Sequence, residues 1–300
     1  MTLAVNAVTG PRLAHAIISV PDMRAALDVY VGLLEQRIVA EETVTQQEAR
    51  AWEAPAVAGT RSVVLQPPSN IGVYLRLIEN PAASGYRPGT HFGWAALELS
   101  VQSADAMHQR LLDARLPIIS PPKALSFTDA LYPMQARGPG GEALYLNEIR
   151  GNLPDSDLPM ANCWVDQLFI AVMGCRDRQR SLDFYNAVLG TSEGGTWELE
   201  YSTINKAFAM PPTTRHTLST LVDRRNVLFE VDQYPLEATP APQMQGALSP
   251  GICHVGVRVP AMPKNCDWLS APATRHEPPY FGAEVGVLRG PDHELVEIVL

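Results

Sequence analysis

Apolar positions along this chain fall into two recurring patterns, a short continuous run and an amphipathic stretch that follows it. Leu13 to Val20 is a run of strand type. Pro21-Asp22 then opens an amphipathic stretch, Met23 to Leu34, with Asp22 placed to cap it. Ala26, Leu27, Tyr30, Leu33 and Leu34 fall on one helical face. The same order returns in the second half. Val165 to Val172 reads as a strand, and Asp177 to Leu189 as a helix with Leu182, Phe184, Tyr185, Val188 and Leu189 apolar. The segments Ala26–Tyr30 (ALDVY) and Ser181–Tyr185 (SLDFY) are close copies, and Tyr30 and Tyr185 lie 155 residues apart. That is an internal duplication. Tyr185, with its copy at Tyr30, reads as helix-to-sheet core.

The copies continue. Gln46 to Pro55 and Thr203 to Pro211 read as short helical segments. Each is followed by strands, ending at Val73 to Pro81 in one half and Val227 to Pro235 in the other, which sets Arg76 opposite Glu230. Each half then starts again. Ala96 to Val101 precedes a helix from Ala104 to Ala114, and His254 to Val259 precedes a weaker one near Asn265 to Leu269. Both halves close on matching strands, Arg137 to Tyr145 and Arg289 to Glu297, each carrying Gly-Pro turn chemistry near its start. The pattern predicts four modules, each a strand, a helix and about three more strands. Residues 151–162, rich in Pro, Asp and Asn, read as a linker, and 235–250, with four prolines, as a loop. Glu297 stands inside the final apolar run. On a polar strand face it would meet solvent; if buried, it needs a partner or a metal.

Composition narrows the picture. The chain has 300 residues, of which 46% are hydrophobic and 18% charged, as suits a folded chain of one large or two ordinary domains. A formal net charge of −9 argues against a nucleic-acid partner. No apolar run approaches the roughly 20 residues of a membrane span. Met1 to Arg12 lacks the basic and apolar regions of a secretory leader. Cys163, Cys175, Cys253 and Cys266 show no CxxC spacing and read as reduced thiols, so a cytoplasmic location is expected. Cys253 adjoins His254, but strand neighbours point to opposite faces, so Cys253 reads as a packed apolar residue.

Four βαβββ modules, the LDxY helix motif and the closing Gly-Pro-Asp…Glu strand resemble the vicinal oxygen chelate superfamily of glyoxalase I, bleomycin-resistance proteins and type I extradiol dioxygenases. The resemblance covers nearly the whole chain. It implies an α+β fold in which the modules pair into two curved, incompletely closed sheet domains. The halves are expected as residues 1–150 and 163–300, each closing on its own two modules. It also implies one divalent metal ion per chain, held by Gln167, Glu230, His254 and Glu297, a set similar to that of glyoxalase I. The matching first-half positions, His15, Arg76, Ala96 and Tyr145, look degenerate, since arginine repels a cation.

A mostly oxygen donor set suits Zn, Ni, Co, Mn or Mg, and Gln167 in place of a histidine argues against Fe. The implied activity is an isomerase, epimerase or lyase acting on a small molecule. It would move a proton beside a metal-bound carbonyl, with Glu230 or Glu297 as the base. Tyr201, His216 and Tyr280 are candidate substrate contacts. A ring-cleaving dioxygenase and a non-enzymatic sequestering protein are the alternatives, and a homodimer is compatible with the resemblance.

Overall fold

The computed structural model describes residues 9–300, so the stretch read for a leader lies mostly outside them. The four modules form in the expected order. The first is β1 (Arg12–Val20), α1 (Met23–Leu27, continuing as a π-helical turn to Leu33), β2 (Arg37–Thr43), α2 (Gln46–Ala51), β3 (Arg61–Gln66) and β4 (Tyr74–Glu79). The second is β5 (Gly93–Val101), α3 (Ala104–Asp113), β6 (Ile118–Ser120), β7 (Leu131–Arg137) and β8 (Ala143–Ile149). The third is β9 (Val165–Cys175), α4 (Arg178–Leu189), β10 (Ser192–Glu200), α5 (Ser202–Ala207), β11 (Arg215–Asp223) and β12 (Asn226–Gln233). The fourth is β13 (Gly251–Arg258), β14 (Trp268–Arg275), β15 (Ala283–Arg289) and β16 (Leu295–Val299).

Local chemistry explains the helix ends. The Asp22 carboxylate accepts from the Ala25 N–H at 3.0 Å, and its copy Asp177 accepts from Arg180 N–H at 3.1 Å. Gly190 ends α4 in the left-handed conformation that glycine adopts without strain. The fourth module lacks the helix expected near Asn265 to Leu269. Asn265 has φ 58°, which a right-handed helix cannot hold, and Trp268 already begins β14.

The strands build two curved eight-stranded sheets, and here the expected halves are corrected. One sheet runs β14-β15-β16-β13-β1-β4-β3-β2 and joins the first and fourth modules; the other runs β10-β11-β12-β9-β5-β8-β7-β6 and joins the second and third. Neither half closes on itself. Within a module the first strand pairs in parallel with the last. Its other edge is left for an antiparallel partner, and β1 takes β13 while β5 takes β9. Any module's first strand presents the same free edge, so the local pattern does not say which is chosen.

The main core gathers α1, α3 and α4 with one face of both sheets, including Tyr30, Met107, Tyr185 and Phe229. Tyr30 donates to Glu142 at 2.6 Å and Tyr185 to Glu294 at 2.8 Å, each linking a helix of one sheet to a turn of the other. The opposite faces form two cups. The cup of the first sheet is capped by α2 and Trp52, and that of the second by the α5 segment and Tyr201. Both cups are completed within one chain.

Candidate functional site

Strand register places the family's ligand positions. In the first cup Ile17 of β1 pairs with Arg76 on one side and His254 on the other, and His15, Gly256 and Glu297 form the next row. In the second, Val172 pairs with Glu230 and Ala96, and the next row is Ile170, Glu98 and Tyr145. The first cup therefore holds His15, Arg76, His254 and Glu297. The second holds Ile170, Glu230, Ala96 and Tyr145. The expected quartet is divided: His254 and Glu297 share a cup, while Glu230 lies in the other sheet. Gln167 lies on that second sheet too, half-buried and three residues before Ile170, which stands where His15 stands in the copy. The 155-residue offset that aligned Tyr30 with Tyr185 already selects Ile170.

Glu297 is the hub of the first cup and is fully buried. Its Oε2 accepts from His15 Nε2 at 2.7 Å and Tyr280 O–H at 2.8 Å; its Oε1 accepts from Trp52 Nε1 at 2.6 Å and Arg275 Nη1 at 3.2 Å. Burial alone would raise its pKa, but the charge of Arg275 and the His15 bond outweigh burial and hold it well below the usual carboxylate range. The ring of His15 reaches Glu297 across Gly256, where a Cβ would lie 2.1–2.5 Å from imidazole atoms. Arg76, also fully buried, pairs with Glu48 of α2 and donates through Nε to Ser62 at 2.8 Å. Glu48 in turn closes the capping box with Thr45. His254 lies 5.0 Å from the Trp52 ring, centroid to centroid, and burial pushes its pKa down to about 3, so it is a neutral imidazole.

Cys253 is a packed residue, as expected, and it stands at a β-bulge opposite Ile17 and Ile18. The thiol donates to the Ile17 carbonyl at 3.3 Å and packs in the Trp52 cluster, on the same side as His254. Both residues border a cleft of about 440 Å³ that lies beneath the loop 240–250 and is walled by Trp52, Phe92, Trp94 and Leu248.

These residues do not fit the divalent ion that the superfamily implies. All four lone-pair directions of Glu297 are taken. Arg76 occupies a ligand position, and two buried carboxylates, Glu48 and Glu297, are already matched by two guanidiniums, Arg76 and Arg275. A divalent ion would leave two buried positive charges unbalanced. Among the described residues no group of three His, Cys, Asp or Glu side chains is placed to hold a metal.

The second cup is acidic. Tyr201 O–H donates to Glu230 at 2.5 Å, the Tyr145 and Tyr201 hydroxyls are 3.0 Å apart, and Asn147 Nδ2 donates to Glu98 at 2.7 Å. Burial, and then the neighbouring carboxylates, raise Glu98 and Asp232; burial also raises Glu230. Of the three substrate-contact candidates, Tyr280 lies in the first cup and Tyr201 in the second. His216 lies in neither, and its Nε2 bonds Asn205 Oδ1 at 2.7 Å. Sequence reasoning passed over Trp52, Glu48, Arg275 and Glu98. Each lies outside the aligned ligand positions, and only Glu98, a carboxylate in an apolar strand, carried a signal.

With this geometry established, comparison identifies the class. Residues 12–144 match a model of the Glyoxalase/Bleomycin resistance protein/Dioxygenase superfamily, in line with the resemblance read from the sequence. Glyoxalase I from Zea mays superposes with a TM-score of 0.63 at 16% identity, covering 96% of this chain and 92% of that one. A putative dioxygenase from Bacillus subtilis gives 0.60 at 14% identity, covering 96% and 84%. At such identities the likeness is one of fold. No curated protein matches the chain. No helix among the described residues is long and apolar enough to cross a membrane.

Proposed function

We propose that this chain binds a small molecule in the cleft between Trp52, Trp94 and the loop 240–250, and that it does so without a divalent ion. The observation that carries this reading is the state of Glu297. A metal-dependent isomerase, epimerase or lyase needs that carboxylate as a ligand or a base. Here four donors hold it, and its low pKa makes it a poor proton acceptor. The cleft, in contrast, has the size and aromatic walls of a ligand site. The sequestering alternative therefore fits better than metal-assisted turnover. A cytoplasmic setting belongs to the same proposal and is supported by four free thiols.

The test is calorimetric titration with 2-naphthol, a neutral bicyclic probe, alongside metal analysis of protein purified with Zn, Ni, Co, Mn, Mg and Fe(II) supplied. One naphthol per chain is expected, weakened about tenfold or more by Ala95→Trp, which fills the cleft wall. One metal equivalent per chain, lost in His254→Ala, would overturn the metal-free reading. It would restore metal-dependent proton transfer or, with His15, His254 and Glu297 as ligands, the ring-cleaving alternative.

A further inference from the structure

The turn that opens α4 carries arginines that its copy lacks. At the 155-residue offset, Arg176 and Arg180 fall on Pro21 and Ala25. Both arginines are exposed, and they line a groove of about 230 Å³ together with Asp177, Asp292 and His293. No carboxylate among the described residues lies within ion-pairing reach of either guanidinium. The two aspartates serve the main chain instead: Asp177 accepts from Arg180 N–H at 3.1 Å and Asp292 from Arg176 N–H at 2.9 Å. The Arg176 guanidinium lies 5.0 Å from the centre of the Phe92 ring, a cation–π contact that holds it in place and leaves it without a carboxylate. Phe92, Pro240, Asp292 and His293 line both this groove and the cleft, so the two form one depression. The cleft itself is a poor place for an anion. Its arginine, Arg289, is paired with Glu53 at 2.7 Å, and Glu142 and Glu294 stand in its wall. The groove is open to water, so an anion there creates no buried net charge.

We propose that the molecule bound in the cleft is an aromatic acid whose anionic group, a phosphate or a carboxylate, projects into this outer groove and is held by Arg176 and Arg180. This rests on the cleft being the ligand site. Phe92 connects the two parts. An aromatic ring packed on the cleft side of Phe92 directs a substituent toward the guanidinium that covers it. Guanidiniums bind phosphate and carboxylate through charge-assisted, often bidentate hydrogen bonds. A single exposed ion pair contributes little, so two arginines bordering one groove matter more than either alone. The same turn in the first copy, with Pro21 and Ala25, offers no such donors.

The experiment compares 2-naphthol with 2-naphthyl phosphate and (2-naphthyloxy)acetate by calorimetry, since the three share a ring system and differ in the group it carries. At least one acid is expected to bind more tightly than naphthol, by about fivefold or more at low salt, with the gain shrinking as salt is added. A larger gain for the phosphate identifies a phosphate ester, and a larger gain for the acetate a carboxylic acid. Arg176→Gln and Arg180→Gln should each reduce the acid-to-naphthol ratio, and the double variant should bring it to near one. Circular dichroism melting verifies that each variant is folded. Arg12→Gln makes the same charge change at the end of β1 away from the cleft and should leave the ratio as in the wild type. If naphthol binds and neither acid is tighter, the anion site is overturned while the cleft stands. If the gain survives in the double variant, or falls as far in Arg12→Gln, the two arginines do not hold the anion and the inference is wrong. If none of the three probes binds, the cleft reading fails and takes this inference with it.

Discussion

The two cups are copies of one design that reach opposite electrostatic solutions. In the first, Gly256 lets the His15 ring cross to Glu297, and Arg275 and Arg76 neutralise Glu297 and Glu48. In the second, the same row holds Ile170, Glu98 and Tyr145, and no ion pair reaches Glu98, Glu230 or Asp232 among the described residues. One cup matches its carboxylates with fixed cations, and the pKa of Glu297 is held down. The other buries its carboxyls together, which raises the pKa values of Glu98, Glu230 and Asp232. A buried charge is stable only if it is paired or removed, and duplication allowed the chain to do each once.

Removing a cation should separate the cups most sharply. Arg275→Met strands ionised Glu297 and should cost about 3–5 kcal/mol in urea unfolding. Glu98→Gln, which removes an unmatched carboxyl from the other cup, should cost far less at pH 8 and could stabilise. Equal losses would show that the first cup is not an ion-paired cluster.

Acidity should then act with opposite sign on the two regions. The pKa of Glu297 is depressed in the folded state, so its contribution is present above the ordinary carboxylate range and lost as pH falls through its folded value. Glu98, Glu230 and Asp232 are raised; their contribution is present at low pH and lost as pH rises through their elevated values. Glu142 and Glu294, raised by burial from 4.5 to about 7, follow the second sign in that interval, at roughly 3 kcal/mol each. Melting temperature measured from pH 5 to pH 9 should therefore decline toward the alkaline end, less steeply in Glu294→Gln. A flat wild-type profile would contradict the raised pKa values of these carboxyls.

Gly256→Ala should cost about 1–3 kcal/mol, because its Cβ would force the His15 ring off Glu297. A neutral result would mean that the His15–Glu297 contact adds nothing to the cup. The smallest expected effect is Tyr185→Phe, which breaks the bond to Glu294 across the sheets and should cost about 1 kcal/mol. A comparable loss in Tyr30→Phe would show that the two cross-sheet links, unlike the cups, have stayed equivalent.

Much of the fold was legible in the sequence. Periodicity, the capping aspartates and the repeated LDxY and Gly-Pro segments located the modules, because those signals act over a few residues. The site was legible only in its parts. His254 and Glu297 stood out as polar groups in apolar strands, and both line the cup. Gln167 was chosen by residue type although the repeat offset pointed to Ile170. His15 was set aside for want of partners that lay about 240 to 280 residues away.

By itself the sequence determined four βαβββ modules, their caps and turns, and the duplication that makes them pair. Tertiary structure alone decided that the first module joins the fourth and the second the third, and so which side chains share a cup. The physical reason is that every first strand offers the same unpaired edge, and local patterning carries no information on which edge meets which. The same choice brought Arg76 and Arg275, from opposite halves of the chain, into one buried chamber with Glu297, where their charge replaces the cation that the ligand positions suggested.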